Sequence, residues 1–334
     1  MTEVDHTLCI APMMTHTDRH FRYFLRLISR RVMLYTEMLT SAALIYGDTE
    51  KFLKYNPEEL PLAIQIGGSN PGELARCAKM AEDAGYNEVN LNIGCPSARV
   101  QSGRIGACLM AEPRLVAECI AAMNSAAHIP VTVKTRIGID NHDHYDDLRE
   151  FIRLVSASGC KTFIIHARKA WLEGLSPRQN REVPPLRYEV VYRIKRDFPA
   201  LEIVINGGFT SVEQIRKQYS FVDGVMIGRV VSNNPYMLAG VDEELFGTPT
   251  AVVSRRETLR RYMDYIEAEL AQGSPLSHMT RHLFGLFQGK AGARAYRRYL
   301  GEAIYKPHAG IEVLEKAMQL GNSKKYGSSA ESVG

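Results

Sequence analysis

The sequence has no long apolar run and few features of an exported protein. No stretch approaches the roughly 18 consecutive apolar residues of a membrane-spanning helix. The first residues also lack the basic start and apolar core of a signal peptide. The six cysteines contain no C-x-x-C pair and no spacing typical of a disulfide framework or zinc site. These absences predict reduced thiols in a cytoplasmic protein with no membrane segment and no bound metal.

The net charge is also small, at +4, and by itself does not indicate a nucleic-acid partner. Its distribution is more informative, because residues 251–334 carry 13 Lys/Arg against 8 Asp/Glu. Residues 278–300 contain five basic residues and no acidic residue, with His278, His282, Tyr296 and Tyr299 between them. This composition fits a surface that binds phosphates, and it fits a helical cap or an oligomerisation surface equally well.

Short apolar runs alternate with helical patterns over about the first 245 residues. Eight such runs predict a (β/α)8 TIM barrel, whose usual size is about 250 residues. An open doubly wound sheet is the alternative, but the G-x-G-x-x-G fingerprint expected after its first strand is missing. We therefore expect a barrel over residues 1–245, a linker near 245–250, a small helical domain over 251–322 and a disordered tail over 323–334.

The first predicted helix places four arginines on one side, at Arg19, Arg22, Arg26 and Arg30. A solvated basic face is the simplest interpretation of this spacing, and a binding site is the alternative. We therefore expect these four side chains to be exposed.

The segment Leu91-Asn92-Ile93-Gly94-Cys95-Pro96-Ser97 places a thiol directly after a predicted strand. Free cysteines are most often inert and buried, so packing is the alternative to a catalytic role. In a TIM barrel, however, the residues that follow the strands meet at the face where catalysis occurs. The Gly-Cys-Pro frame and this position favour Cys95 as a catalytic residue.

The other predicted strand ends also carry polar or conformationally special residues, which packing alone does not require. Glycine pairs and an arginine after the seventh and eighth strands are typical of a phosphate site: Asn206, Gly207 and Gly208, then Gly228 and Arg229. Lys134, Gln65 and the backbone of Pro12, Met13 and Met14 would then lie nearer the centre of the barrel mouth. A lysine there suits a ring that gains negative charge on reduction, which predicts flavin mononucleotide (FMN).

These motifs together resemble the tRNA-dihydrouridine synthases. The resemblance rests on Ala11-Pro12-Met13-Met14, Leu91–Pro96, Val131–Arg136, Ile165–Arg168, Asn206–Gly208 and Asp223–Arg229, which occur in the family's order. The stretches Lys134–Asp140, His166–Leu172 and Gly174–Pro177 are similar to A-type members.

The resemblance implies an FMN enzyme, reduced by NADPH, that converts uridine to 5,6-dihydrouridine at positions 20 and 20a of tRNA. It implies flavin contacts from Pro12, Met13, Met14, Gln65, Lys134, His166, Asn206, Gly207, Gly208, Gly228 and Arg229. It assigns the general acid to Cys95. A thiol suits that role because its ordinary pKa of about 8.5 leaves it protonated at pH 7. We expect Asn92 to orient the uracil and the enzyme to act as a monomer.

A uridine must leave its stack to reach the barrel mouth, so the protein must also hold the folded tRNA outside the site. We expect a basic groove formed by the 168–187 loop and the 278–300 helices. Its arginines would be Arg168, Arg178 and Arg181, with Arg281, Arg294, Arg297 and Arg298. Two alternatives stay open: a flavin barrel acting on a free pyrimidine, and an RNA-binding barrel that has lost its chemistry.

Overall fold

The computed structural model describes residues 4–97, 101 and 103–321. Within them, eight parallel strands form a closed barrel in sequence order, with β1 hydrogen-bonded to both β2 and β8. The strands are β1 (Leu8–Ile10), β2 (Met33–Thr40), β3 (Leu62–Gly67), β4 (Glu88–Ile93), β5 (Val131–Arg136), β6 (Thr162–His166), β7 (Glu202–Asn206) and β8 (Gly224–Ile227). The predicted TIM barrel is confirmed.

Helices alternate with these strands along the chain, as the apolar periodicity predicts. They are α1 (Arg19–Arg26), α2 (Ser41–Tyr46), α3 (Thr49–Leu53), α4 (Pro71–Asp83), α5 (Pro113–Ala126), α6 (Tyr145–Ala157), α7 (Tyr188–Asp197), α8 (Val212–Gln218), α9 (Arg229–Asn233) and α10 (Val241–Phe246). Later helices are α11 (Arg255–Ala271), α12 (Leu276–Thr280), α13 (Ala293–Ala303) and α14 (Ile311–Leu320). None of the helices in the described part is long and apolar enough to cross a membrane.

Local sequence signals set several of these boundaries. The Asn70 side chain accepts a hydrogen bond from the Glu73 amide, and Pro71 occupies the first turn of α4. Ser254 caps α11 in the same way. Such residues satisfy amides that a helix start leaves without intrahelical partners, so the chain turns from loop to helix at these points.

The barrel interior contains two kinds of side chain. Residues such as Met33, Tyr35 and Met226 form a buried apolar cluster. Strand β4 is buried along its whole length although Glu88, Asn90 and Asn92 alternate with apolar residues. Because parallel barrel strands are covered on both faces, these polar side chains need partners within the protein.

Contacts divide the chain into two compact units that are interleaved in sequence. Among the described residues, the first unit lies within 1–23, 31–228 and 241–249, and the second lies within 24–30, 229–240 and 250–321. The predicted boundaries, by contrast, give two contiguous domains, and this division of the chain stays a prediction. The predicted disordered tail, 323–334, lies outside the described residues.

The second unit has a small apolar core of its own. Leu259, Tyr262 and Ile266 of α11 are fully buried, as are Leu283 and Leu314. The Tyr262 hydroxyl donates to the Met279 carbonyl oxygen at 2.8 Å. The apolar periodicity of the C-terminal sequence therefore reflects helix packing.

The expectation that all four arginines are exposed holds only for Arg30, which follows α1. Arg19 is half-buried, and Arg22 and Arg26 are buried. Arg22 is 4% exposed, and its guanidinium lies 2.7 Å from the carboxylate of Glu59, which is fully buried. Arg26 is 8% exposed. A buried arginine requires a partner, and for Arg22 that partner lies 37 residues along the chain.

Candidate active site

Cys95 lies in a turn that Asn92 holds in place. The Asn92 Oδ1 atom accepts hydrogen bonds from the backbone amides of Gly94, at 3.1 Å, and of Cys95, at 3.0 Å. The Cys95 carbonyl oxygen accepts from the Ala107 amide at 2.9 Å. Cys95 is half-buried. Four other cysteines are buried: Cys9, Cys77, Cys119 and Cys160.

Lys134 lies beside Asn92, because the two residues pair in the register of β4 and β5. Its Nζ atom donates to the Asn206 side-chain oxygen at 3.2 Å, and Asn206 in turn donates to the Met226 carbonyl oxygen at 2.8 Å. Burial, followed by the positive charge of Arg136, lowers the pKa of the Lys134 ammonium to about 7. The site therefore holds a cation in an environment that disfavours positive charge.

Arg136 connects the Cys95 turn to the loop after β6. Its Nε atom donates to the Gly94 carbonyl oxygen at 2.8 Å. Its Nη1 atom donates to the carbonyl oxygens of Lys169, at 3.0 Å, and Asn180, at 3.1 Å. The side chain is 4% exposed, and burial lowers its pKa to about 10. The same strand thus supplies both the lysine and the residue that holds the turn.

The backbone conformation and the close neighbours after β7 both favour glycine at positions 207 and 208. Gly207 and Gly208 have φ angles of +133° and +78°, in the region that favours glycine. A Cβ atom on Gly207 would lie 2.8 Å from a Leu186 methyl carbon and 3.1 Å from the His166 ring. The Tyr188 hydroxyl donates to the Gly207 carbonyl oxygen at 2.6 Å. The glycine pair therefore lets the backbone pass close to Leu186, His166 and Tyr188 at this strand end.

The segments after β1 and β8 lie close together at the same end of the barrel. A Cβ atom on Gly228 would lie 3.4 Å from the Met13 sulfur. Pro12 and Met13 are half-buried, and Met14 is 57% exposed. The structure thus brings these predicted flavin contacts together.

His166 is the last residue of β6, whereas Gln65 lies two residues before the end of β3. Gln65 is buried and accepts a hydrogen bond from the Asn92 amide nitrogen at 2.8 Å. His166 is half-buried and pairs in register with Arg136 and Asn206. Arg229 is exposed and belongs to the second unit, so its predicted ligand contact stays a prediction.

The arginines of the loop after β6 differ in exposure. Arg178 and Arg181 are exposed, with Arg178 paired to Glu182 at 3.6 Å. Arg168 is half-buried and donates to the Pro184 carbonyl oxygen. The first two therefore present charge to solvent, while the third also holds the loop.

In the second unit, all four predicted tRNA-binding arginines are exposed: Arg281, Arg294, Arg297 and Arg298. Two of the aromatic residues between them are not. The Tyr296 hydroxyl donates to the Leu283 carbonyl oxygen at 3.1 Å within the core. His282 is buried, 2.8 Å from the Tyr262 hydroxyl. Tyr296 and His282 therefore belong to the core of the second unit and not to an exposed basic surface.

Sequence reasoning missed the polar residues deeper in the barrel. Glu88, Asn90 and Thr132 are buried and joined by hydrogen bonds through Thr132. Arg136 lies nearer the carboxyl ends of the strands, here called the open end of the barrel. The available signal was the alternation of polar and apolar residues in β4 and β5. Every second side chain of such a strand faces the barrel interior, where a polar group needs a partner.

The donor set at this end of the barrel suits acid–base and anion chemistry. It combines a half-buried cysteine, a lysine, carboxamides and the backbone of a glycine pair. In the described ranges, no group of three or more His, Cys, Asp or Glu side chains is arranged to hold a metal ion.

Comparison with known proteins agrees with this geometry. The family model described as dihydrouridine synthase (Dus) matches residues 9–321. A tRNA-dihydrouridine(20/20a) synthase from Shewanella oneidensis is 60% identical over 316 residues, covering 95% of this chain and 94% of its own length. The protein of the same name from Vibrio cholerae is 57% identical and covers 93% of this chain and 95% of its own length. The one from Escherichia coli is 55% identical and covers 95% of this chain and 96% of its own length.

Proposed function

Because the chain belongs to the dihydrouridine synthase family, we propose that it reduces uridine to 5,6-dihydrouridine at positions 20 and 20a of tRNA. The proposed cofactor is FMN and the proposed reductant is NADPH. The observation that carries the proposal is Cys95, a half-buried thiol in a turn beside Lys134, in a chain that matches the family over residues 9–321. The proposal includes a cytoplasmic enzyme that works as a monomer without a metal.

The residues at the open end of the barrel fit a flavin. The glycine pair 207–208 offers backbone groups of the kind that bind phosphate. Gln65 and the Pro12–Met14 segment supply polar and main-chain groups for the ring edges, and Lys134 supplies a positive charge. When bound and reduced, the flavin supplies the hydride that C6 of the uracil accepts.

Cys95 is proposed to supply the proton. Reduction of the C5–C6 double bond adds a hydride at C6 and leaves an enolate, which needs a proton at C5. The Cys95 S–H bond breaks as the C5–H bond forms, and the resulting thiolate regains a proton from solvent. The hydrogen bonds from Asn92 to the turn amides hold the sulfur in position during this transfer.

Asn92 is proposed to orient the uracil, and Lys134 or His166 to offset the charge that develops on the ring. Asn92 is hydrogen-bonded to both the Cys95 turn and Gln65, which supports its proposed role in orienting the uracil. The Lys134 ammonium, held by Asn206, offsets negative charge at the same end of the barrel. The low pKa of this lysine means that a bound anion is needed to keep it fully charged above pH 7.

The exposed arginines are proposed to bind tRNA phosphates. Arg178 and Arg181 lie on the loop after β6, with Arg168 nearer its base. Arg281, Arg294, Arg297 and Arg298 are exposed on the second unit. Phosphate contacts position a folded RNA without reading its sequence, which suits an enzyme that takes one base out of its stack.

The decisive experiment is a single turnover with enzyme reduced beforehand and tRNA that lacks modifications. We expect dihydrouridine at positions 20 and 20a by mass mapping, with no product from free uracil. Equal reoxidation of the reduced enzyme by free uracil would favour a free-pyrimidine enzyme instead. A purified protein without flavin absorbance would favour an RNA-binding barrel.

The tRNA contacts are tested by neutralising Arg294, Arg297 and Arg298 together. Each phosphate contact contributes about 0.7–0.9 to the slope of log affinity against log salt. We therefore expect weaker binding and a slope smaller by about 2–3. Neutralising Arg260 and Arg261, which already pair with Glu257 in the same unit, is the control and should change the slope less. An unchanged slope in the triple variant would contradict the assignment.

A further inference from the structure

A path of hydrogen-bonded side chains begins at Glu88, at the amino end of β4. The Thr132 hydroxyl donates to Glu88 Oε1 at 2.6 Å. The Asn90 amide nitrogen donates to the Thr132 hydroxyl at 2.8 Å. All three residues are at most 1% exposed. These contacts extend the path from the amino ends of the strands, here called the closed end, toward the middle of the barrel.

The same path continues to the Cys95 turn. The Gln65 amide nitrogen donates to the Asn90 side-chain oxygen at 2.8 Å. The Asn92 amide nitrogen donates to the Gln65 side-chain oxygen, also at 2.8 Å. Asn92 Oδ1 then accepts from the Gly94 and Cys95 amides. An unbroken hydrogen-bonded path therefore connects Glu88 to the backbone of the proposed general acid.

Both ends of this path impose the same direction on every hydrogen bond. Backbone amides only donate, so Asn92 must present its oxygen to the turn and its nitrogen to Gln65. A carboxylate only accepts, so Thr132 must donate to Glu88 and accept from Asn90. Each carboxamide thus has one orientation that satisfies both neighbours, and reversing any of them would bring two like groups together.

A charged group keeps Glu88 in the accepting role. The two ring nitrogens of His6 lie 2.6 Å from Glu88 and 2.9 Å from Glu202. Thr162 donates to Glu202 at 2.7 Å. A doubly protonated imidazole donates to both carboxylates, so both oxygens of Glu88 accept hydrogen bonds.

We propose that Glu88 and Thr132 are positioning residues for the reaction, fixing the carboxamide orientations of Gln65 and Asn92 and through them the placement of the flavin ring and of Cys95. This inference rests on the proposed function. Neither residue touches the reacting atoms, because each acts only through the path described above. Loss of the Thr132 hydroxyl would leave Asn90 without its acceptor and free the carboxamides to reorient.

Thr132→Val tests the inference because it removes the hydroxyl and keeps the shape. Thr162→Val is a matched control, since Thr162 also donates to a carboxylate bonded to His6 but lies outside the path. In single turnovers with enzyme reduced beforehand, we expect Thr132→Val to lower the rate about tenfold or more, because small misplacements at a reacting centre are costly. Thr162→Val should stay close to wild type, and Thr132→Ser, which restores a hydroxyl, should recover most of the rate.

Two further measurements do not depend on turnover. We expect Thr132→Val to weaken binding of oxidised FMN to the apoprotein several-fold by fluorescence quenching. We also expect it to change the rate of Cys95 alkylation by iodoacetamide, followed by peptide mass spectrometry. If the valine variants do not fold, the alanine pair at the same positions replaces them.

The outcomes separate this inference from the proposed function. Equal behaviour of the Thr132 and Thr162 variants in all three measurements would overturn the inference. Absence of dihydrouridine in the wild-type single turnover would overturn the proposed function, while flavin binding and Cys95 alkylation would still test the path. Failure of Thr132→Ser to recover wild-type behaviour would also count against the inference.

Discussion

The pKa of a buried cation is raised at one end of the barrel interior and lowered at the other. At the closed end, burial disfavours charge on His6, but the carboxylates of Glu88 and Glu202 outweigh it and raise the pKa of the imidazole to about 10. At the open end, Lys134 has an amide oxygen as partner and another cation, Arg136, nearby. Its pKa is lowered to about 7.

This difference separates stability from chemistry along one axis of the barrel. The closed end satisfies its charges within the protein, so its residues contribute to folding. At the open end, Lys134 donates to the neutral carboxamide of Asn206, and burial together with Arg136 lowers the pKa of its ammonium. Barrel enzymes place chemistry at the carboxyl ends of their strands, and here the electrostatics follow the same division. Substitutions at the two ends should therefore have different consequences.

The largest expected effect is at the open end, from Cys95→Ala. General acids contribute about 10²–10⁴ in rate, so we expect a loss of at least about 100-fold in single-turnover dihydrouridine formation. Flavin content should be unchanged. Cys108→Ala, at the other half-buried thiol, is the control and should retain the wild-type rate. A wild-type rate in Cys95→Ala would rule out the acid assignment.

The next effect is at the closed end, from Glu88→Ala. Removing one partner of a buried ion pair leaves the other charge uncompensated and costs about 3–5 kcal/mol. Urea unfolding should show a loss of stability of this size. Glu213→Ala breaks an exposed pair with Lys217, and it should leave the transition nearly unchanged. Equal stability losses in the two variants would contradict the contrast between buried and exposed pairs.

Lys134→Met should lower activity while raising stability. Loss of the charge should slow the single turnover about tenfold or more, because stabilisation of developing charge is lost. The apoprotein should unfold at a higher urea concentration at pH 7, because the variant no longer buries a disfavoured cation. Reduced stability in the folded, flavin-free variant would show that Lys134 contributes to folding as His6 does.

The smallest effect is a pair of opposite pH dependences in the free energy of unfolding. The contribution of His6 is full below its ordinary pKa of 6.5 and is lost as the pH rises through about 10. The penalty from Lys134 is full below about 7 and disappears as the pH rises through its ordinary value of 10.5. The stability advantage of wild type over His6→Gln should therefore shrink between pH 7 and 10.

Over the same range, wild type should gain stability relative to Lys134→Met. Urea unfolding of the three proteins at pH 7, 8.5 and 10 measures both differences. If the two stability differences changed with pH in the same direction, the two cations would not differ as described.

The sequence predicts the barrel well because its strands are local patterns. The runs 88–93, 131–136 and 162–166 form strands, and each is a short stretch between clear turn signals. The strand ends also follow, because a closed parallel barrel brings them to one face. Cys95, Lys134 and Asn206 could therefore be grouped before any coordinates were available.

Partners that are distant in sequence could not be predicted in the same way. Arg22 looks like a surface residue until Glu59 is placed beside it. Thr132 looks like an ordinary β-branched strand residue until its hydroxyl meets Glu88. Tyr296 looks like part of a nucleic-acid surface until its ring is found in the core. In each case three-dimensional packing, and not the local pattern, decides the role.

Closure of the barrel between its first and last strands has a consequence for biosynthesis. Residues 8–10 pair with residues 225–227, so the first strand leaves the ribosome long before its second neighbour exists. At about 5–20 residues per second, this delay is on the order of 10–40 seconds. The nascent sheet keeps two open edges during that time, and the seam between them is where pairing with a foreign chain competes most directly with completion of the fold.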